Sequence, residues 1–336
     1  MTVAMLAVCG PTVAASAADS AVVFMYHRFG EEAYPATNIR LDQFEEHIKE
    51  LTSDGYNVRP LPEIVAALRK GESLPDNTVG LSIDDAFASV YREAWPRLRA
   101  AGLPFTLFVA TGGVDRALPD YMTWDQIREL VKGGVTIGSQ TATHLHMARA
   151  SRERNEADLA ESNARFVKEL GASPKMIAYP YGEYSLAVGE VARAAGFETG
   201  FGQHSGVVYK GEDFFFLPRF AFNESYGDLR RFRLAGRALP LPVSDVTPRD
   251  PLLKTETNPP PFGFTVVGEA VKRLSGLACY YSAAGKLRIE RLGESRIEVR
   301  TENPFPQGRS RINCTMPAGD GRWRWFGRQF YVSPQR

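Results

Sequence analysis

Short apolar runs alternate along this chain with stretches of helical spacing. The runs at 21–26 (AVVFMY), 79–83, 105–109, 135–138, 175–179, 198–201 and 214–217 each hold four to six residues and predict buried strands. Between them, 42–53, 61–70, 88–101, 123–132, 151–170 and 186–196 repeat apolar positions at helical intervals. Thr123, with Gln126 three residues on, forms the sequence signature of a helix start. Strands alternating with helices predict βα units and a parallel sheet. Seven or so units over about 220 residues fit a distorted (β/α) barrel of about seven strands better than an open sheet. In such barrels the residues just after the strands line the active face, and His27, Asp84, Asp85, His144 and Tyr181 fall there.

The pattern changes near residue 239. Residues 240–261 hold seven prolines, which neither a helix nor a central strand accommodates, so 239–263 reads as an extended linker. Residues 264–336 then alternate apolar and polar positions between turn signals and predict a small antiparallel β domain. The barrel is assigned to 20–238. Charge follows the same division: residues 264–336 carry a net +7 and residues 1–263 a net −6. The basic β domain suits either a glycan or anionic-polymer surface or a module that covers the barrel.

At 44% hydrophobic and 24% charged residues, the chain is neither disordered nor fibrous. Its net charge of +1 argues against nucleic acid as a partner. No apolar run reaches the length of a transmembrane helix. Residues 1–18 contain no charged side chain and end on Ala15-Ser16-Ala17, which predicts a signal peptide and an exported protein. Its removal leaves Cys279 and Cys314, either bridged or as two buried thiols.

Adjacent carboxylates at the end of a buried strand repel, and one is forced toward protonation unless a cation separates them. A divalent metal resolves this if Asp85 binds it and Asp84 stays free as a base; a helix cap is the structural alternative. Of the five histidines, His27, His144, His146 and His204 can converge, whereas His47 lies in a helical stretch and reads as a surface residue. In an extended segment His146 shares a face with His144 and so is either a further ligand or a local packing residue.

The segments Ser82-Ile83-Asp84-Asp85-Ala86-Phe87, Trp95-Pro96-Arg97-Leu98 and Gly102-Leu103-Pro104-Phe105-Thr106-Leu107-Phe108 resemble, in order, signatures of the polysaccharide deacetylase (carbohydrate esterase 4) family. Tyr26-His27, Ile137-Gly138-Ser139-Gln140-Thr141-Ala142-Thr143-His144, Pro180-Tyr181-Gly182 and Leu217-Pro218-Arg219-Phe220 extend the resemblance over residues 20–225, nearest to the poly-N-acetylglucosamine deacetylase-like members. The resemblance implies hydrolysis of N-acetyl groups on an N-acetylglucosamine-type polysaccharide or oligosaccharide, with a divalent metal: zinc, or else cobalt or nickel. It implies Asp84 as catalytic base, Asp85 and His144 as metal ligands, and the backbone of Tyr181 at the oxyanion. Pro180, His27 and Arg219 go to the substrate and oxyanion side. The family's late histidine, its general acid, has no clear match in this sequence, and His204, the only late histidine, is the candidate for that role.

Two positions depart from the family pattern. Gln140 stands where the family has a metal-binding histidine, and a neutral amide oxygen is a weak zinc ligand. Ala86 stands where the family has glycine, which strains the turn if φ is positive there. A glycan-binding protein without catalysis is therefore the competing expectation, and O-acetyl esters are an alternative substrate.

Overall fold

The computed structural model describes residues 17–53 and 55–333, so the predicted signal peptide lies outside the described residues up to residue 16. The alternating pattern folds as a curled (β/α) half-barrel. Its strands are β1 (Ser20–Tyr26), β2 (Thr78–Asp84), β3 (Thr106–Val109), β4 (Thr136–Ser139), β5 (Met176–Ala178), β6 (Thr199–Phe201) and β7 (Phe220–Ala221). They are parallel in the order β6-β5-β4-β3-β2-β1-β7, and a single bridge between Phe201 and Leu217 draws β6 back toward β7. Both faces of this sheet are covered, which is why β1 and β2 read as unbroken apolar runs. Gly138 in β4 admits the Phe108 ring from β3, which would stand 2.3 Å from a Cβ placed there.

The helices α1 (Leu41–Leu51), α2 (Leu61–Lys70), α3 (Trp95–Ala100), α4 (Trp124–Lys132), α5 (Arg152–Leu170), α6 (Leu186–Ala194) and α7 (Leu229–Gly236) flank the sheet. Thr123 caps α4 by accepting from the Gln126 N–H at 3.3 Å, and Gln126 Oε1 accepts from the Thr123 N–H at 2.9 Å. The predicted 88–101 helix opens with a wide turn at Val90–Ala94. Pro96 lacks an N–H, and the Trp95 N–H bonds five residues back to Val90.

Three local expectations differ. Phe214–Leu217 is a turn rather than a strand: the Phe215 N–H bonds to Asp213 Oδ1 at 2.9 Å, and the edge strand forms at Phe220–Ala221 instead. The 239–263 segment is not an extended linker. It supplies β8 (Val243–Thr247) and the start of β9 (Phe262–Val266), while Leu239–Pro240 and Leu252–Leu253 pair at a sheet edge. An edge strand tolerates the missing proline donor.

His47 is the third. It is buried in α1, stacks on Phe232 at 4.0 Å, and bonds to Tyr26 Oη at 3.0 Å and the Gly227 carbonyl at 2.9 Å. The sequence pattern did not distinguish a satisfied core histidine from a solvated one.

The second domain adds β10 (Ala278–Tyr281), β11 (Arg288–Leu292), β12 (Arg296–Arg300), β13 (Gly308–Pro317) and β14 (Trp323–Val332). Two sheets, β14-β13-β10 and β8-β9-β12-β11, enclose a core that includes Phe262, Phe264 and Phe330. Cys279 and Cys314 sit directly opposite each other on β10 and β13 and form a disulfide 35 residues apart in sequence. Closing a loop of that length stabilises by about 3–4 kcal/mol in the chain-entropy account. β14 also seats on the barrel: Arg322 makes two contacts to Asp76, at 2.9 and 3.0 Å, and Trp325 meets Phe220 edge-on.

Burial lowers the pKa of His47 from 6.5 to about 4, against the opposing pull of the Gly227 carbonyl and Asp228. The unfolded chain therefore binds more protons below pH 6.5. The stability this ring contributes is complete above 6.5 and is lost as pH falls toward 4, by about 1.4 kcal/mol per pH unit. Urea denaturation of the wild type and His47→Gln between pH 7 and 4 should show the wild type losing its relative advantage over this window; parallel profiles would contradict the buried neutral ring.

Candidate functional site

The strand ends β1, β2, β4 and β5 open onto one face, and their following residues meet there. Asp84 ends β2, fully buried, and receives a two-pronged contact from Arg219, whose Nη1 and Nη2 lie 2.7 and 2.9 Å from the two carboxylate oxygens. Arg219 is itself fully buried. Its Nε donates to the Gly202 carbonyl at 2.9 Å and its Nη1 also to Ser82 Oγ at 3.1 Å. Such a fork fixes the carboxylate in position and orientation. Arg219, placed by the resemblance on the substrate side, therefore acts behind Asp84 instead of facing an open site. His27, after β1, brings Nε2 to 3.9 Å from Asp84 Oδ2.

The chain turns sharply after Asp84. Asp85 and Ala86 have φ of 76° and 54°, so Ala86 occupies the left-handed region that suits glycine, and the turn is strained. The Asp85 N–H donates to the Phe108 carbonyl at 3.0 Å and to Gln140 Oε1 at 2.9 Å. Gln140 thus anchors the turn, while its Nε2 is buried without a partner. Asp85 Oδ1 is also buried without a hydrogen bond and stands 3.2 Å from His144 Nε2. Burial pushes the Asp85 carboxyl up, but His144, His27 and Arg28 outweigh it and hold it below the usual range. Burial likewise opposes protonation of His144, and Asp85 and Asp84 outweigh it and raise its pKa.

The loop carrying His144 is not extended, and His144 itself has a φ of 54°. Asp158, buried on α5, holds it: Oδ1 accepts from the N–H groups of Ala142 and Thr143 at 2.7 and 3.1 Å, and Oδ2 from Thr143 Oγ1 at 2.5 Å. The sequence reading missed Asp158. Its signal was a carboxylate on the apolar face of a long helix, beside Asn155 and Ser162.

Because the segment turns, His146 does not share a face with His144. It stacks on the Tyr181 ring at 4.1 Å, and its Nδ1 lies 2.8 Å from Glu183 Oε2. Tyr181, with φ of 60°, follows the buried Pro180 after β5, and its ring forms a T-shaped pair with His144 at 4.6 Å. Its carbonyl accepts from Gln329 Nε2 of β14 at 3.2 Å, and the neighbouring Gly182 carbonyl accepts from the same nitrogen at 2.7 Å.

His204 is buried against Phe216, its Nδ1 without a partner. Burial, with Arg328, Arg311 and Arg219 nearby, lowers its pKa to about 3. At neutral pH the buried ring is therefore uncharged.

Among the described residues, no group of three or more His, Cys, Asp and Glu is placed to hold a metal. Two donors do fit a divalent cation: the unpartnered Asp85 Oδ1 and the adjacent His144 Nε2. They fall one short of the three protein ligands usual for catalytic zinc, because His146 is turned away and the Gln140 oxygen already serves the Asp85 N–H.

Residues 71–200 match the family model described as polysaccharide deacetylase. The poly-β-1,6-N-acetyl-D-glucosamine N-deacetylase of Staphylococcus aureus is 27% identical over 214 residues, spanning 60% of this chain and 73% of that protein. The structure of IcaB from Ammonifex degensii superposes with a TM-score of 0.57 at 26% identity, covering 66% of this chain and 98% of that one. The Streptococcus pyogenes deacetylase PplD, solved with acetate, gives a TM-score of 0.60 at 22% identity, covering 64% of this chain and 97% of that one.

Leaving a buried charge without its partner costs about 3–5 kcal/mol. Arg219→Met should lower the free energy of unfolding by about that much, and Arg219→Met/Asp84→Leu should recover most of it. Urea denaturation reads both; equal stability of all three proteins would show that the buried pair does not organise the site.

Proposed function

We propose that this chain, which carries a polysaccharide deacetylase domain, hydrolyses N-acetyl groups on an N-acetylglucosamine-type polysaccharide outside the cytoplasm. The observation that carries this reading is the pairing at the end of β2: Asp84 locked by Arg219, and Asp85 beside His144 with an unpartnered oxygen. Asp85 and His144 would hold a divalent cation, which would supply Lewis acidity at the acetyl carbonyl.

The remaining roles belong to the chain itself. Asp84, fixed by the Arg219 fork, accepts at its carboxylate the proton of the attacking water and returns a proton to the amine nitrogen as the C–N bond breaks, leaving acetate and the free amine. His27, 3.9 Å from Asp84 Oδ2, borders the same carboxylate and is the nearest imidazole to it. The Tyr181 turn, held at its carbonyl side by Gln329, fixes the backbone on the opposite wall, where charge develops on the carbonyl oxygen. O-acetyl esters pass through an analogous tetrahedral species, with an alcohol in place of the amine as leaving group, and are a second substrate class. The Cys279–Cys314 disulfide supports an oxidising compartment. Among the described residues, no helix is long and apolar enough to cross a membrane.

One observation favours a second reading, glycan binding without turnover: the oxygen of Gln140 is engaged by the Asp85 N–H and adds no freed donor. The two readings separate on acetate release from an N-acetylglucosamine oligomer with added zinc, cobalt or nickel. The deacetylase reading expects release that falls about 10²–10⁴-fold in Asp84→Asn. It also expects a higher rate in Gln140→His, which restores an imidazole at the third position. Oligomer binding with no acetate from wild type or Gln140→His would establish the binding protein instead.

A further inference from the structure

Next to Tyr181 a cleft of about 510 Å³ opens between the barrel and the second domain. The barrel lines it with His146, Arg149 and Glu183, and β13 and β14 line it with Arg309, Arg311 and Tyr331. Arg309 Nη1 lies 3.4 Å from the Tyr181 carbonyl, and its guanidinium lies 5.5 Å from the centre of the Tyr181 ring. Arg311 Nε donates at 2.8 Å to Gln329 Oε1, and Gln329 in turn holds the Tyr181 and Gly182 carbonyls. The cleft and the Asp85–His144 pair thus share one wall, the Tyr181 turn.

The electrostatics of this cleft are one-sided. Among the described residues, none of its three guanidiniums makes an ion pair, while its one carboxylate, Glu183, is buried and taken by His146. The arginines also disfavour one another: burial, and then Arg309, lower the Arg311 pKa to about 10. Clustered, unpaired cations beside a site raise the energy of the free protein, and an anion relieves it. A guanidinium fork matches a carboxylate or a phosphate. A neutral sugar gives such a cluster nothing to neutralise, and a deacetylated sugar, being an ammonium, is repelled.

We propose that this cleft is a subsite for an anionic substituent, a carboxylate or a phosphate, on a sugar neighbouring the one presented to Asp84. The inference rests on the deacetylase reading for the identity of the polymer. It makes the second domain part of substrate recognition and the preferred substrate an acidic N-acetylated glycan.

Titration calorimetry tests it with three N-acetylglucosamine tetramers: one carrying lactyl carboxylates on alternate sugars, its methyl ester, and one carrying phosphomonoesters. Wild-type protein should bind the carboxylated or the phosphorylated tetramer at least tenfold more tightly than the ester at low salt, and whichever is favoured identifies the anion. The preference should shrink as salt is added. Arg149→Gln/Arg309→Gln, at two exposed positions, should erase it, and Arg149→Lys/Arg309→Lys should keep part of it. Equal affinity of wild-type protein for all three tetramers, or an unchanged preference in the Gln variant, would overturn the proposal. Because binding is read apart from acetate release, a charge preference without turnover would leave this cleft standing and remove only the catalytic reading.

Discussion

The fork between Arg219 and Asp84 is the interaction on which the rest of the site depends. Two consecutive aspartates at the end of a buried strand would otherwise repel in a medium that screens them poorly. Arg219 answers the first with its guanidinium, which frees the second to face His144. The solution is topological as well as electrostatic. Arg219 precedes β7, and β7 must run parallel to β1 in the register Phe220 to Phe24 for the guanidinium to arrive beneath β2. A displaced β7 would leave Asp84 buried and unpaired, so the curl of the sheet and the chemistry at its rim are one constraint.

The second constraint is the seat of the β domain. β14 follows the barrel closely enough that a Cβ on Gly327 would stand 1.9 Å from the Ser205 carbonyl oxygen, so a glycine is required there. Two residues further on, Gln329 reaches the carbonyls of Tyr181 and Gly182. The left-handed conformation of Tyr181 is thereby held from outside the barrel. The domain does more than cover apolar surface, because its hydrogen bonds end on the turn that walls the candidate site.

Much of this was legible in the sequence for physical reasons. Period and length separate strands from helices, and Asp84, Asp85, His144 and Tyr181 come together because each follows a strand of one parallel sheet. What was not legible depends on contacts between residues distant in sequence. Nothing local says that Gln140 turns its oxygen to the Asp85 N–H, that His146 lies flat on Tyr181, or that His204 and His47 are buried as neutral rings. The prolines of 239–263 excluded a central strand and not an edge strand, and the segment pairs at a sheet edge, with Pro240 opposite Trp325. Gln329 and Arg311 carried no signal, since their role exists only once β13 and β14 lie against the barrel.

The central claim is that Asp85 and His144 hold one divalent cation beside the Asp84–Arg219 pair. Calorimetric titration of the metal-stripped protein with zinc, cobalt and nickel, supported by elemental analysis after dialysis, tests it most directly. The account predicts one ion per chain, bound in the wild type and lost in both Asp85→Ala and His144→Ala. No binding by the wild type at millimolar metal, or binding that both variants retain, would contradict it.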